Sequence, residues 1–490
     1  MMIWFIPSWY QDESIIVKEM NWNRTASSSR FDDTVSQVKI FKEEDKEVSL
    51  MILSYSPHLR HFLYREEIMD VDYTSVFDDL QDIQSKRIGL YSYKDLNWPS
   101  DVEWIYTPYI VLAKRNGALF AKIYFGKEGY MIGVDLFQNE RKRLIFDDRG
   151  FLSCVQYYKE DNLQYEEYYN ERGEWQFRHE FNSGEVVINE TQKHRFRKLR
   201  YESIEEMMKE YLQKKLYYYS FDDYVVIAAD EHHNDLIMKS IWKQKVILSL
   251  FGNRFDIVKG EYLYHRVDVI ITDSNDKKNL IEDSYKVNNV YTISPLDTRF
   301  KLGQSQRTKR LKIYFILDDT SFSYLEEIMK YMISHPLVDL YIGLYHFEDY
   351  YDGIIQDKIN QMLSQLEAPF KIDERVFLKI ISDERDLITL LSDIRIIVDV
   401  RETSDSYTQI AGMSTGIPQI VKQESNYVYH KKNGFCLDHG YSVAEGLYFY
   451  LEDLDHWNDS LVYSYHLMQE YSGKKIMKKW REIIDNASKY

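Results

Sequence analysis

The sequence predicts an α/β protein with two parallel-sheet units and an antiparallel β-sheet inserted into the first. Runs that are apolar throughout, such as Val48 to Ser54 and Tyr224 to Ala229, alternate with helical sequence, as strands covered by helices on both faces do. Between them, β-prone runs recur about every ten residues with glycine-containing turns, which indicates an antiparallel meander. Strand–helix alternation resumes after Ser294-Pro295.

These patterns divide the chain into four parts. Residues 1–101 and 201–293 form the first α/β domain, and residues 102–200 form the inserted β-meander. Residues 294–440 form the second α/β domain, and residues 441–490 form carboxyl-terminal helices.

The first domain opens with a buried strand over Ile3 to Ile6, followed by a second over Val48 to Ser54. Residues 73–84 carry Val76, Leu80 and Ile83 at helical spacing, so a helix is expected there. After the meander, Ser203 and Glu206 match a capping box, which predicts a helix start.

The remaining elements follow the same logic. Turns such as Asn116-Gly117 separate the meander strands, which are expected at 106–111, 118–125, 131–137, 143–146, 151–158, 164–169, 175–180 and 185–189. The parallel strands of the two α/β domains are expected at 224–229, 245–250, 267–272, 311–317, 338–344, 376–380, 394–400 and 418–421. The last 45 residues are expected to be helical.

Composition limits the classes of function. The chain has 490 residues, 79 Asp+Glu against 62 Lys+Arg and a net charge of −17, which argues against nucleic-acid binding. Its two cysteines cannot build a disulfide framework or a four-cysteine zinc site. Apolar runs stay well below about 18 residues and the amino-terminal run stops at Pro7, so a cytoplasmic location is expected.

The segment from Ile394 to Leu437 carries the most informative motif. A strand and a polar loop lead into a helix with small residues at Ala411, Gly412, Ser414 and Gly416, followed by Pro418 and later by Asn433-Gly434-Phe435. This pattern resembles the carboxyl-terminal domain of GT-B glycosyltransferases. The resemblance implies two Rossmann-like domains whose facing strand ends hold a nucleotide sugar.

The sequence departs from active members of that class at three points. Gln409 stands where the resemblance places the acidic residue that holds the ribose, and Asp318-Asp319 stand where basic residues would meet the diphosphate. Pro7 to Tyr10 replaces the glycine-rich loop of the first domain. We therefore expect a protein without enzyme activity and without a cofactor, with an active glycosyltransferase as the alternative.

The amino-terminal aromatic segment carries a second resemblance. Trp4-Phe5-Ile6-Pro7-Ser8-Trp9-Tyr10, with Trp22 shortly after, resembles the opening of the first accessory secretory protein family of the accessory Sec system. The resemblance implies a cytoplasmic, peripherally membrane-associated adaptor that binds a glycosylated serine-rich-repeat adhesin. It also implies two other accessory secretory proteins and an accessory SecA motor as partners.

Sugar binding needs aromatic faces and groups that hydrogen-bond to hydroxyls. The candidates near the expected cleft are Trp9, Tyr10, Trp22, Asp230, Asp318, Gln409 and Ser414. Most of the 75 aromatic residues are expected instead in the core or in cross-strand pairs of the meander.

Two other clusters of charged and metal-ligating residue types occur in the sequence. Glu231-His232-His233 follows a strand, but adjacent histidines point apart and no third ligand is identifiable, so no metal site is expected. A dense basic run ends the meander, and its charged members are Lys193, Arg195, Arg197, Lys198 and Arg200. It is either a solvated face or a contact surface for anionic lipid or an acidic partner.

Overall fold

The computed structural model describes residues 1–10, 32–89, 91–126, 129–138, 140–252, 254–298, 308–344, 353–381, 384–402, 404 and 406–487. Three β-sheets organise these residues: a seven-stranded parallel sheet, a ten-stranded antiparallel sheet and a six-stranded parallel sheet. The predicted α/β class, with an antiparallel sheet inserted into the first unit, is confirmed. Trp22 lies outside the described residues.

Among the described residues, three strands and three helices come first. They are β1 (Ile3–Ile6), α1 (Asp33–Glu43), β2 (Val48–Ile52), α2 (Leu59–Arg65), β3 (Asp72–Ser75) and α3 (Val76–Leu80). The helix expected over residues 73–84 is therefore shorter than predicted. Residues 72–75 pair with β2 as a strand, and the Ser75 hydroxyl then caps α3 by accepting a hydrogen bond from the Asp78 amide.

The inserted sheet follows as a meander in which each strand pairs with the next. Its strands are β4 (Glu103–Tyr106), β5 (Val111–Arg115), β6 (Ala118–Phe125), β7 (Met131–Phe137), β8 (Arg141–Phe146), β9 (Leu152–Lys159), β10 (Asn162–Tyr169), β11 (Trp175–Glu180), β12 (Val186–Ile188) and β13 (Arg200–Tyr201). Cross-strand aromatic pairs stabilise it, such as Tyr157 stacked on Tyr165 with ring centroids 4.4 Å apart.

A buried ionic network joins the inserted sheet to the first domain. The Arg60 guanidinium is fully buried, and its Nε donates to Asp148 Oδ1 at 2.5 Å. Arg149 donates to Asp78 at 2.7 and 2.9 Å and to Asp147 at 2.6 and 2.7 Å. These bonds tie the β8–β9 turn to α2 and α3, so the two units are held in one relative orientation.

The chain then returns to the first sheet. The elements are α4 (Ile204–Tyr217), β14 (Tyr224–Ala228), α5 (Asn234–Met238), β15 (Lys245–Leu250), α6 (Glu261–Tyr264), β16 (Val269–Thr272), α7 (Asn275–Tyr285) and β17 (Val290–Thr292). The strand order is β17-β16-β15-β14-β1-β2-β3, so β1 and β14 are neighbours near the centre. Ile6 pairs with Ile227, which brings the loops after both strands together.

The second parallel sheet has the order β20-β19-β18-β21-β22-β23. Its elements are β18 (Leu311–Ile316), α8 (Leu325–Ser334), β19 (Val338–Leu344), α9 (Ile354–Gln365), β20 (Val376–Ile380), α10 (Glu384–Leu391), β21 (Ile396–Asp399), α11 (Ser406–Thr415), β22 (Gln419–Val421), β23 (Gly434–Cys436) and α12 (Val443–Leu451).

Two long helices, α13 (Leu454–Glu470) and α14 (Gly473–Ala487), complete the described chain. The last helix packs on the first sheet. Trp480 is fully buried and meets Phe5 and Phe41 edge to face, at centroid distances of 6.4 and 5.2 Å. The apolar face of α14 could be predicted from the sequence, but which sheet this face covers could not.

Candidate functional site

The carboxyl ends of the two parallel sheets approach each other at one contact region. Asn426 Nδ2, in the loop after β22, lies 3.5 Å from the carbonyl oxygen of Asp273, which follows β16. The hydroxyls of Tyr427 and Ser294 are 3.3 Å apart. Ligands of open α/β sheets bind at such strand ends, so the polar residues at these two edges are the candidate site.

At the first edge, Asp230 is the centre of a hydrogen-bonded group. It follows β14, and the Ser8 hydroxyl from the loop after β1 donates to its Oδ2. Its Oδ1 accepts from the His232 amide at 2.9 Å and lies 2.7 Å from His232 Nδ1. Burial alone would raise the pKa of Asp230, but these hydrogen bonds hold it below its ordinary value, so the carboxylate stays charged.

Tyr10 and His233 lie directly behind this group. His233 Nε2 is 2.8 Å from the Ala228 carbonyl, which can only accept, so Nε2 carries the proton. His233 Nδ1 therefore accepts from the Tyr10 hydroxyl, at 2.8 Å. Tyr10 is buried, and its ring stacks on His232 with centroids 4.7 Å apart. Tyr10 thus contacts both histidines of this loop and stabilises its conformation. The sequence pattern predicts instead that the Tyr10 ring stacks on a sugar.

Trp9 is half-buried at the same edge. Its indole nitrogen donates to the Asp32 carboxylate, and its ring meets Phe62 edge to face at 4.7 Å. Burial and the neighbouring Asp33 raise the pKa of Asp32 to about 7. Asp32 also caps α1 by accepting from the Val35 amide at 2.9 Å.

Arg254 supplies a cation that the sequence analysis missed. It pairs with the Asp33 carboxylate and also donates to the carbonyl oxygens of Ala229 and Ser249, at 3.2 and 3.3 Å. Its position in the loop after β15 was the available signal, because loops after parallel strands face the ligand side. This edge therefore has a positive charge from Arg254, a hydrogen-bond acceptor from Asp230 and an aromatic ring from Trp9.

At the second edge, the Asp318 side chain accepts hydrogen bonds from residues of its own loop. Its Oδ1 accepts from the Thr320 and Ser321 amides, at 2.9 and 2.8 Å, and from the Thr320 hydroxyl at 2.8 Å. Burial would raise the pKa of Asp318, but these bonds and the nearby charge of Arg401 hold it below its ordinary value. Asp319 beside it is exposed.

The expectation that this edge lacks basic side chains was wrong. Arg401 lies close enough to lower the pKa of Asp318, and Lys422 lies beside Glu402, whose amide donates to the Thr320 hydroxyl at 3.3 Å. Both cations are engaged: Arg401 donates to both oxygens of the buried Asp399, at 2.7 and 2.9 Å, and Lys422 pairs with Glu402. Asp399 is the last residue of β21, and a position inside a predicted buried strand carries no sign of an ion pair.

Gln409 and Ser414 lie inside the fold. The Gln409 amide donates to the Ser404 hydroxyl at 2.9 Å and accepts from Ser425 at 2.7 Å, and the residue is only 3% exposed. Ser414 is fully buried. A Cβ on Gly412 would lie 2.6 Å from Gln419 Nε2, so this small residue lets α11 pack closely on its sheet.

The basic run lies at the end of the inserted sheet. Lys193, Arg197, Lys198 and Arg200 are exposed, and Lys198 and Arg200 pair with Glu206 and Glu185. Arg195 differs, because its guanidinium donates to the Leu80 carbonyl at 3.2 Å and to Gln176 at 2.7 Å. Arg195 therefore joins the insertion to α3.

The described residues contain neither a metal-binding cluster nor a membrane-spanning helix. In the described residues, no group of three or more His, Cys, Asp and Glu side chains could hold a metal ion. Within the same residues, no helix is both long enough and apolar enough to cross a bilayer.

Comparison with known proteins gives full-length matches. The profile of the family described as accessory Sec system protein Asp-one matches residues 2–487. The protein of that description from Streptococcus gordonii is 32% identical, over 99% of each chain. In the crystal structure of accessory secretory proteins 1, 2 and 3 from Streptococcus pneumoniae, a matching chain has a TM-score of 0.88, 31% identity and complete coverage of both chains.

A more distant structure bears on the fold alone. The pneumococcal O-GlcNAc transferase GtfA, solved with UDP and GlcNAc, has a TM-score of 0.75 at 13% identity, covering 99% of each chain. The predicted GT-B-like architecture is therefore confirmed.

Proposed function

The chain belongs to the accessory Sec system protein Asp-one family, and from this premise we propose that it is a non-catalytic adaptor of the accessory Sec export pathway. It binds a glycosylated serine-rich-repeat adhesin and delivers it to the membrane translocase. It acts with two other accessory secretory proteins, as a relative does in the crystal structure of the three proteins, and with an accessory SecA motor.

The observation that carries the proposal is the pairing of charges at the second sheet edge. A nucleotide-sugar donor needs cations that are available to its diphosphate. Here Arg401 donates to both carboxylate oxygens of the buried Asp399, and Lys422 pairs with Glu402. Moving Arg401 to a diphosphate would leave Asp399 buried without that partner, which costs about 3–5 kcal/mol.

The first edge supports carbohydrate binding better than the second. We assign sugar contact to Trp9 and Asp230, with the paired Arg254 beside them, and expect Asp318 to face them from the other sheet. Tyr10, Gln409 and Ser414 take supporting positions, because all three are buried.

Membrane association is the second part of the proposal, and the inserted sheet is the unit best suited to it. Residues 102–200 contain 16 Lys+Arg and 15 Asp+Glu, so they carry +1 in a chain of −17. Lys193, Arg197, Lys198 and Arg200 form its exposed basic end. A near-neutral surface with a basic end is repelled less by anionic lipid than the α/β domains are.

A binding comparison tests the adaptor function. Repeat peptide with and without attached sugar is titrated against the wild type, Trp9→Ala and the matched control Trp175→Ala on the inserted sheet. We expect binding of the glycosylated peptide only, with a loss of roughly tenfold in Trp9→Ala, since aromatic contacts contribute about 0.5–1.5 kcal/mol beyond area burial.

Two results would contradict the proposal. Equal binding of both peptides removes carbohydrate recognition. Turnover of a nucleotide sugar by the purified chain establishes the glycosyltransferase alternative, and Arg401→Ala should then abolish that turnover.

A further inference from the structure

An aromatic groove lies at the outer edge of the second parallel sheet, beside the edge strand β23. It is lined by Phe435 of β23, by Tyr441 in the loop after it, and by Tyr448 and Phe449 of α12. Its volume of about 370 Å³ falls in the range of about 300–1,000 Å³ that small-molecule sites occupy. We call it the β23 groove. In the sheet order β22 separates β23 from β21, the strand of Asp399, so the groove is separate from the second edge of the candidate site.

The aromatic rings of the β23 groove are packed against one another. Phe435 is only 3% exposed, and its ring centroid lies 5.0 Å from that of Tyr441 and 5.5 Å from that of Phe449. Phe449 in turn stacks on His456 at 3.8 Å. Tyr448 keeps 45% of its surface exposed. The rings are therefore held in place before a ligand binds, which lowers the entropy cost of binding.

Charged side chains of both signs line the same groove. The Lys431 ammonium lies 3.1 Å from the Tyr441 hydroxyl and 4.9 Å from the centroid of that ring. The exposed Glu445 carboxylate accepts from the Ser442 amide and hydroxyl, at 2.7 and 3.0 Å. Asp453 caps the start of α13 with its own carboxylate. An ammonium has three donors and a carboxylate about four acceptor positions, so each group can bond further to a ligand.

This combination of groups distinguishes between classes of ligand. An anion would meet the carboxylates of Glu445 and Asp453, and a cation would meet Lys431, which already covers the face of Tyr441. A purely apolar ligand would take the charged groups out of water and give them no hydrogen bonds. A neutral ligand with an apolar face and several hydroxyls satisfies the rings, the donor and the acceptors together. A pyranose has both features.

We propose that the β23 groove is a second carbohydrate-binding site, which takes one pyranose of a glycosylated peptide while the first sheet edge takes another. Tyr448 supplies the ring that stacks on the sugar, Lys431 donates to its hydroxyls and Glu445 accepts from them. The identity of the natural ligand rests on the proposed function, whereas the binding of a sugar rests on the groove alone.

Two sugar sites on one chain favour a ligand that carries many sugars. Once one sugar of a repeat peptide is bound, another sugar of the same peptide reaches the second site at a high effective concentration. A peptide with sugars on all its serines should therefore bind at least about 100-fold more tightly than a peptide with one sugar.

Free sugar tests the β23 groove without any peptide. Saturation-transfer NMR measures binding of N-acetylglucosamine and of glucose to the full-length chain in the Trp9→Ala background, which removes the ring at the first edge. We expect binding to persist in Trp9→Ala and to weaken at least about tenfold when Tyr448→Ala is added. The matched control is Tyr465→Ala in the same background, because Tyr465 is also 45% exposed but lies on α13. It should leave binding unchanged.

Lys431→Asn is a second variant, chosen to preserve the fold. Lys431 is exposed and has a φ of 54°, in the left-handed region that Asn adopts more readily than most residues. The shorter, neutral side chain loses the charged donor. We expect sugar binding at least about threefold weaker in the Trp9→Ala background, with unchanged thermal unfolding.

Glycosylated repeat peptides then test whether the two sites act together. In the chain with Trp9 intact, Tyr448→Ala should weaken binding of the peptide with sugars on all serines at least about tenfold. The peptide with one sugar should lose less than about threefold, because the first edge still binds it.

Three results separate the alternatives. Wild-type affinity of Tyr448→Ala and Lys431→Asn for free sugar and for both peptides, with weaker binding by Trp9→Ala, overturns the groove and leaves the adaptor function intact. Binding of tetramethylammonium that Tyr448→Ala abolishes, without sugar binding in the Trp9→Ala background, overturns it in favour of a cation site. Free-sugar binding that depends on Tyr448, with no binding of either peptide, supports the groove and contradicts the adaptor function.

Discussion

His233 shows how burial determines the chemistry of one side chain at the first sheet edge. The residue is 1% exposed, and desolvation lowers its pKa to about 4. It is neutral near pH 7, and its tautomer is set by the Ala228 carbonyl. A neutral His233 orients Tyr10 but cannot neutralise Asp230, so that carboxylate keeps its charge.

The depressed pKa of His233 makes the stability of the protein depend on pH. In the unfolded chain a histidine binds its proton near pH 6.5, whereas folded His233 does so only near pH 4. The unfolded state therefore binds more protons between these values, and we expect the free energy of unfolding to fall by up to about 1.4 kcal/mol per pH unit on acidification.

Urea unfolding at pH 7 and pH 5 measures this effect, with His233→Gln as the comparison. Asp32 acts in the opposite direction, because its raised pKa stabilises the fold at low pH, and it remains in both proteins. The difference between the two proteins therefore reports His233. The same pH dependence in both would show that His233 is not buried in the neutral form.

At the scale of elements, α14 packs on the first domain although it lies far from that domain along the chain. Ile476, Trp480 and Ile483 are buried against strands that lie more than 200 residues away along the chain. The Trp480 indole nitrogen also donates to the Gln37 side chain at 2.5 Å, which joins α14 to α1. The helix α14 therefore covers, together with α1, one face of the first sheet.

We expect Trp480→Ala to lower the free energy of unfolding by about 3–5 kcal/mol, because it removes a buried indole and leaves a cavity. Lys479→Ala, at an exposed position of the same helix, should change it by less than about 0.5 kcal/mol. Equal effects in urea titrations would mean that α14 contributes little to the core of the first domain.

At the scale of the whole molecule, ionic bonds hold the inserted sheet to the first domain. Arg60, Asp148, Arg149 and Asp78 are shared between the two units and lie largely out of water. Such a network fixes orientation, because each charge must keep its partner. The network therefore fixes the orientation of the inserted sheet on the first domain.

Breaking this network should be strongly destabilising. We expect Asp148→Ala to cost about 3–5 kcal/mol, because Arg60 loses its shortest carboxylate contact inside the protein. The double variant Arg60→Met/Asp148→Ala should recover part of that loss, since the Arg60 charge that Asp148 neutralised is also removed, while Arg149 keeps Asp78 and Asp147. Urea unfolding and hydrogen exchange at β8 and β9 measure both, and a double variant less stable than Asp148→Ala would contradict the account.

The sequence by itself determined the alternation of strands and helices, the antiparallel insertion and the family. Those features depend on periodicity and on turn residues such as Asn116-Gly117, which act over a few neighbouring positions. Ser8 and Asp230 could be placed at one sheet edge for the same reason, since both follow predicted parallel strands.

Only the tertiary structure decided which of these groups are available to a ligand. Tyr10, Gln409 and Ser414 are buried, Arg401 is bound to Asp399, and Arg254 completes the first edge. Availability depends on contacts between residues far apart in sequence, such as Tyr10 with His233, and a local pattern carries no information about them. The physical reason is that burial and charge pairing depend on three-dimensional proximity, whereas periodicity depends on order along the chain.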